Sequence, residues 1–252
     1  MFPFPLEIVA LVLATFLFGG ISKGLIGLGL PVVVLALLAA PLGVPTALAL
    51  MVVPAVLTNI WQALDGGALF ALLRRLWSFF LAAICGVTLG GFVLAGASEA
   101  LLLALLGGVL TVYAGFGLLS PPLPEPGRHE VWMAPSAALA GGVMFGMVGN
   151  FIVPGVLYLQ AIRLGRDGLV QALGMTFIVI SSTLGVSLTS HSVLTPDIAL
   201  VGALCVPSTL LGMVIGRRIR RHVSEETFRR LFLVGLLLTG IYNLVRAAQM
   251  GG

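Results

Sequence analysis

Hydrophobic residues fall in long unbroken blocks along this chain, with no alternating or narrowly striped pattern. The blocks run from Leu6 to about Ala40, then at about 46–64, 76–96 and 99–119, and again at about 133–161, 168–190, 195–216 and 227–248. Most match the roughly 17–25 residues with which a helix crosses about 30 Å of hydrocarbon. A helix that is apolar all round is buried in lipid or in its neighbours. The pattern therefore predicts an all-α integral membrane protein.

Two blocks carry interruptions. A straight helix of about 35 residues over the first would be roughly 52 Å long, and it contains the breaker cluster Gly19-Gly20-Ile21-Ser22-Lys23-Gly24-Leu25-Ile26-Gly27-Leu28-Gly29-Leu30-Pro31. Glycine and proline at that density end helices, leaving flanks of only ten to fourteen residues. The fifth block breaks similarly at Gly146-Met147-Val148-Gly149-Asn150-Phe151-Ile152-Val153-Pro154. Each is expected to form a broken, re-entrant element.

The two halves of the chain are alike. Gly20, Gly24 and Gly27 recur as Gly142, Gly146 and Gly149 at an offset of 122. Pro31 and Ala49 recur as Pro154 and Ala172 at 123, and Gly86, Gly90, Ser98 and Glu99 as Gly212, Gly216, Ser224 and Glu225 at 126. An ordered series with slowly drifting offsets indicates internal duplication. The expected organisation is a first membrane repeat over 1–119, a polar connector over 120–132 and a second membrane repeat over 133–252.

Charge placement orients the repeats. Arg74, Arg75, Arg128, Arg163, Arg166, Arg217, Arg218, Arg220, Arg221, Arg229 and Arg230 share one face if each broken element returns to its own side, leaving only Arg246 opposite. Eight plain crossings would instead split the arginines. Basic loops stay cytoplasmic, so the expectation is two inverted repeats, each one broken or re-entrant element plus three transmembrane helices, with both termini periplasmic. The start lacks a basic leader and is read as the first membrane segment rather than a cleaved signal.

Composition narrows the function. With 59% apolar and 9% charged residues, against about 25% charged in a soluble domain, the chain cannot cover a water-soluble particle. A soluble enzyme, a nucleic-acid binder and a disulfide scaffold are excluded. Cys85 and Cys205 have no metal-ligand spacing and are read as packing residues. The three histidines, 129, 191 and 222, are scattered, and no nucleophile–base pair is visible, so no catalytic residues, metal or cofactor are assigned.

Paired interruptions in two inverted halves mark a transporter's midplane site, where half-helix N-termini face an anion. Lys23 is the chain's one lysine and sits inside the first break; it is read as the charge partner of a bound anion, the alternative being a side chain that snorkels to the interface. Ser22, Gly24, Gly27, Gly146, Gly149 and Asn150 complete the expected lining of the two breaks. Asn59 and Gln62 share a helix face and, with Gln171 and Ser181, either line the same cavity or bond between helices. Close packing is the alternative for Gly20 and Gly24 and the preferred reading for Gly86, Gly90, Gly212 and Gly216.

The segment Phe18 to Pro31, followed by Thr46-Ala47-Leu48-Ala49, resembles the amino-terminal signature of the TauE/SafE family of sulfite and organosulfur-anion exporters. The duplicated halves and the weaker copy from Gly142 to Pro154 are similar too. The chain departs from the family pattern at Gly27-Leu28-Gly29-Leu30 and at Asn150-Phe151. The resemblance implies secondary transport, with export the expected direction, of sulfite, sulfonates such as sulfoacetate, or related anions across a prokaryotic inner membrane. The alternative is a non-transporting intramembrane enzyme or scaffold. Expected partners are a small anion, the lipid bilayer and, as one option, a second copy in a homodimer.

Overall fold

The computed structural model describes residues 5–27, 29–64, 67–119, 125–219 and 225–251, with only the backbone at residues 6, 26, 166, 225–229 and 251. Arg220, Arg221 and Ser224, the side chain of Arg166 and the connector residues 120–124 lie outside the described set. The described residues form ten α-helices: α1 (Leu6–Ile26), α2 (Leu30–Leu42), α3 (Val44–Leu64), α4 (Leu69–Gly96), α5 (Glu99–Leu119), α6 (Glu130–Val148), α7 (Leu157–Ala161), α8 (Gly165–Ser190), α9 (Pro196–Ile219) and α10 (Glu225–Gly251). All except α2 and α7 contain a segment long and apolar enough, by length and composition, to cross a membrane. This is a multi-pass helical membrane protein.

The first break falls later than the sequence predicts. Gly19, Gly20 and Gly24 are helical, and α1 continues through them to Ile26. It is 21 residues long, span length rather than a ten-residue flank, so the first broken element pairs a helix long enough to cross a membrane with the shorter, 13-residue α2. Helical glycine costs about 1 kcal/mol relative to alanine, which tertiary contacts of α1 offset.

The helices gather into two compact units: Met1–Pro54, Ala97–Ser120 and Ser192–Gly252 in one, Ala55–Gly96 and Pro121–His191 in the other. Each unit draws elements from both halves of the sequence. In the first, α1 packs along α9 and α5 along α10; in the second, α4 packs along α6 and α8.

Glycines determine two of these pairings. A Cβ on Gly20 would strike Thr209 O, one on Gly24 Met213 O, one on Gly212 Leu17 O and one on Gly216 Ile21 O. In the second unit a Cβ on Gly86 would strike Leu139 O, one on Gly90 Val143 O and one on Gly146 Val87 O, while one on Gly142 would lie 2.6 Å from Ala83 O. Small residues let backbones touch where lipid offers no hydrophobic drive to associate. Both crossings are parallel, because rising residue numbers match on each pair. The glycines that the sequence offsets match between the halves thus build one crossing in each unit.

Large side chains point outward, as lipid permits: Phe70 is 84% exposed, Trp132 77% and Phe92 64%. Cys85, expected to pack inside, is exposed with them, whereas Cys205 is buried.

Candidate functional site

The first break is made by two left-handed glycines. Gly27 (φ 79°) closes α1, its N–H donating to the Lys23 carbonyl at 2.8 Å, and Gly29 (φ 115°) precedes α2. A side chain is strained at such φ values. Pro31 follows in the first turn of α2, where its missing N–H would have no intrahelical acceptor anyway. Ser22 and Lys23 occupy the last turn of α1, 5% and 6% exposed. The Ser22 side chain faces Gly29, 3.2 Å from where a Cβ would stand. A snorkelling lysine keeps its head in water, and this burial argues against that alternative. Gly24 one residue on is taken up by the α1–α9 crossing, and Gly27 by the cap.

The second break begins with the same cap. Gly149 (φ 66°) donates its N–H to the Phe145 carbonyl at 2.8 Å. Phe145 therefore stands where Lys23 stands in the first half, at the offset of 122. Asn150 is 2% exposed, and its Oδ1 accepts the Ile152 N–H at 2.9 Å. That bond holds the turn into Ile152–Val156, a wide helical turn whose Val153 is extended (φ −107°, ψ 121°), before α7. Aromatic rings fill the surroundings. Phe151 meets Phe79, Phe145 and Phe177 edge-on at 5.9–6.4 Å, and Tyr158 stacks on Phe79 at 5.5 Å. Gly146 belongs to the α4–α6 crossing.

The polar residues of α3 and α8 are mostly engaged with backbone. Asn59 Nδ2 donates to Ala55 O at 2.7 Å, and Gln62 Nε2 to Val170 O at 2.9 Å. Gln171 Nε2 donates to Ala63 O at 2.8 Å while its Oε1 accepts the Ala68 N–H at 2.9 Å. The two glutamines thus clasp the end of α3 and the turn after it onto α8. Ser181 differs: its hydroxyl is fully buried and has no partner among the described residues. A buried helical serine normally bonds the carbonyl one turn back. Tyr158 OH is likewise buried without a partner. Sequence reasoning passed over Tyr158, although a tyrosine just beyond a break in an apolar run was a signal.

Pro54 lies inside an uninterrupted α3. It cannot donate to Leu50 O, and that carbonyl approaches Gly202 of α9, 2.8 Å from where a Cβ would be. The freed oxygen is met by a helix.

By site, then, the first unit brings together Ser22, Lys23 and the glycines of its break, and the second brings Gln62 to Gln171 and sets Asn150 in the turn beside Phe151. The described residues thus build a polytopic helical protein with a buried lysine in the last turn before a helix break. The sulfite exporter TauE/SafE family matches residues 11–243, nearly the whole chain, and the protein belongs to that family of transporters of sulfite and organosulfur anions. No curated protein and no solved structure matches it.

Proposed function

We propose that this protein is a secondary carrier that exports small sulfur oxyanions, sulfite or a sulfonate, across the inner membrane, and that the anion is held at the first break. Lys23 supplies the charge. The Ser22 hydroxyl and the N–H groups that the first turn of α2 leaves without intrahelical acceptors supply neutral donors. In the second unit the corresponding candidate is Ser181, ahead of Asn59, Gln62, Asn150 and Gln171, whose polar atoms are already engaged. The observation that carries the reading is the burial of the chain's one lysine in the last turn before a left-handed glycine break. Outward flow of an anion is favoured by about 2.3 kcal/mol per charge at 100 mV, inside negative.

The inverted-repeat topology is part of this proposal. Helix directions support it. Gly107 of α5 faces Gly240 and Leu244 of α10, while Gly117 faces Leu233, so these two helices run antiparallel. Counting eight plain crossings would make α5 and α10 parallel. Two broken elements that return to their own side make them antiparallel and collect the arginines on the cytoplasmic face.

The test is sulfite affinity of purified Lys23→Gln, which keeps length and donors and removes charge. Losing a close charge partner in a desolvated site costs on the order of 2–5 kcal/mol, a weakening of roughly thirtyfold or more. Unchanged affinity by calorimetry, with the variant folded, removes Lys23 from the site.

A further inference from the structure

In the second unit, α3, α4 and α8 border a groove of about 230 Å³. Its floor is Ala63, Phe80 and Met175, all buried, and its rims are Ile60, Leu64 and Leu73, all exposed. Every residue that lines it is apolar. The groove follows from how the three helices are joined. Gln171 ties α8 to Ala63 and Ala68, and Gly174 lets α8 come close to α3, a Cβ there standing 2.6 Å from Ala63 N. α4 takes its closest contact with α6 instead, through Gly86 and Gly90. The part of α4 ahead of those glycines, from Leu69 to Phe80, is the part that borders the groove.

The position of the groove says what covers it. α3, α4 and α8 each hold a segment long and apolar enough to cross a membrane, so the exposed rims meet lipid. One end of the groove lies at the turn between α3 and α4, because Leu64 ends one helix and Leu69 begins the other. That end belongs at the membrane surface. α4 has 28 residues, about 42 Å of helix against a hydrocarbon core of about 30 Å. Trp61, next to the rim residue Ile60, and Trp77, one turn beyond Leu73, are both exposed, as rings at the headgroup level are. Arg74 directly follows Leu73, is exposed, and makes no ion pair among the described residues. Side chains on a helix lean toward its N-terminus, here the surface end, so the Arg74 stem carries its guanidinium to the headgroups.

We propose that this groove is a phospholipid site, with one acyl chain lying over Ala63, Phe80 and Met175 and the headgroup phosphate held by Arg74. A chain in the groove gains dispersion contacts on several sides, but bulk lipid is as apolar as the groove and gives no hydrophobic drive. Selectivity therefore comes from the headgroup. The planar guanidinium fork matches two phosphate oxygens in a charge-assisted pair. The site prefers a glycerophospholipid over a diacylglycerol, which has the same chains and no phosphate. The bound chain packs α4 against the α3–α8 pair where no glycine brings the helices together. None of this depends on what Lys23 binds.

The experiment is native mass spectrometry of delipidated protein in detergent, titrated with phosphatidylglycerol and with diacylglycerol of the same chains. The parent is expected to hold one phosphatidylglycerol at least tenfold more tightly than further copies and than diacylglycerol. Arg74→Gln, a change at an exposed position, is expected to bring phosphatidylglycerol down to the diacylglycerol level and to leave diacylglycerol unchanged. Val179→Phe, which puts a ring into the groove from α8, is expected to weaken both lipids at least tenfold. Equal retention of phosphatidylglycerol by the parent and Arg74→Gln, or by the parent and Val179→Phe, overturns the proposal and leaves a surface wetted by freely exchanging lipid. Equal losses of the two lipids in Arg74→Gln overturn the phosphate contact and the proposal with it. If Val179→Phe does not purify folded, Arg74→Gln decides by the same comparison of the two lipids.

Discussion

At Gly24 a Cβ would run into the Met213 carbonyl and at Gly90 into that of Val143, while at Gly115 it would meet nothing within 4 Å. One residue type therefore makes opposite predictions by position. Gly24→Ala and Gly90→Ala should destabilise the protein by about 1–3 kcal/mol, the usual cost of overpacking. Gly115→Ala, in the last third of α5, should stabilise it by about 0.5–1 kcal/mol through the lower entropy of the unfolded chain. Thermal unfolding in detergent reads both, and equal responses would contradict the close crossings. The same spacing that flagged Gly20, Gly24, Gly142 and Gly146 as a repeat could not say whether they line a site or a helix contact. Both need a missing Cβ, and only the neighbouring backbone tells them apart.

Among the elements, the breaks owe their geometry to Gly27 and Gly149, one turn beyond the glycines that packing uses. The α3–α8 contact depends on a side chain instead. Gln171 satisfies a carbonyl of α3 and the N–H of Ala68, whereas Gln62 satisfies a single carbonyl. Gln171→Leu should cost more than Gln62→Leu, on the order of 1–3 kcal/mol for each backbone group left buried and unpaired. It should also raise amide exchange at Ala68. Equal unfolding temperatures for the two variants would show that water replaces the clasp. Of the two readings the sequence left at Gln62, cavity or interhelical bond, the structure shows the bond, to Val170, 108 residues away, where folding alone brings it.

Over the whole molecule the question is sidedness. Cysteines placed at Ala68 and Gly127 should react with an impermeant reagent from the cytoplasm, and those at Ser192 and Met250 only from the periplasm, with Cys85 and Cys205 replaced. A single accessible side for Ala68 and Ser192 would sink the inverted arrangement. The antiparallel run of α5 and α10 and the parallel runs of α1 with α9 and α4 with α6 are the directions this topology requires.

The sequence by itself determined the solvent and the all-helical class, and it suggested a duplication. Blocks of about twenty apolar residues have one stable answer in lipid, a helix with all its backbone bonds internal, and glycines at drifting offsets near 122 to 126 are the pattern from which a repeat is read. It also singled out Lys23, because a lone ammonium in an apolar block is costly enough to need a reason. Tertiary structure decided where the first helix ends. Local propensity would stop α1 at Gly19, but packing against α9 carries it to Ile26, since a helix in a close crossing gains more from contact than glycine loses in entropy. Tertiary structure alone also assigned α1 and α9 to one unit and α4 and α6 to the other, and joined Arg75 to Glu130 across 55 residues. Those pairings depend on which surfaces meet, and no local pattern along the chain encodes that.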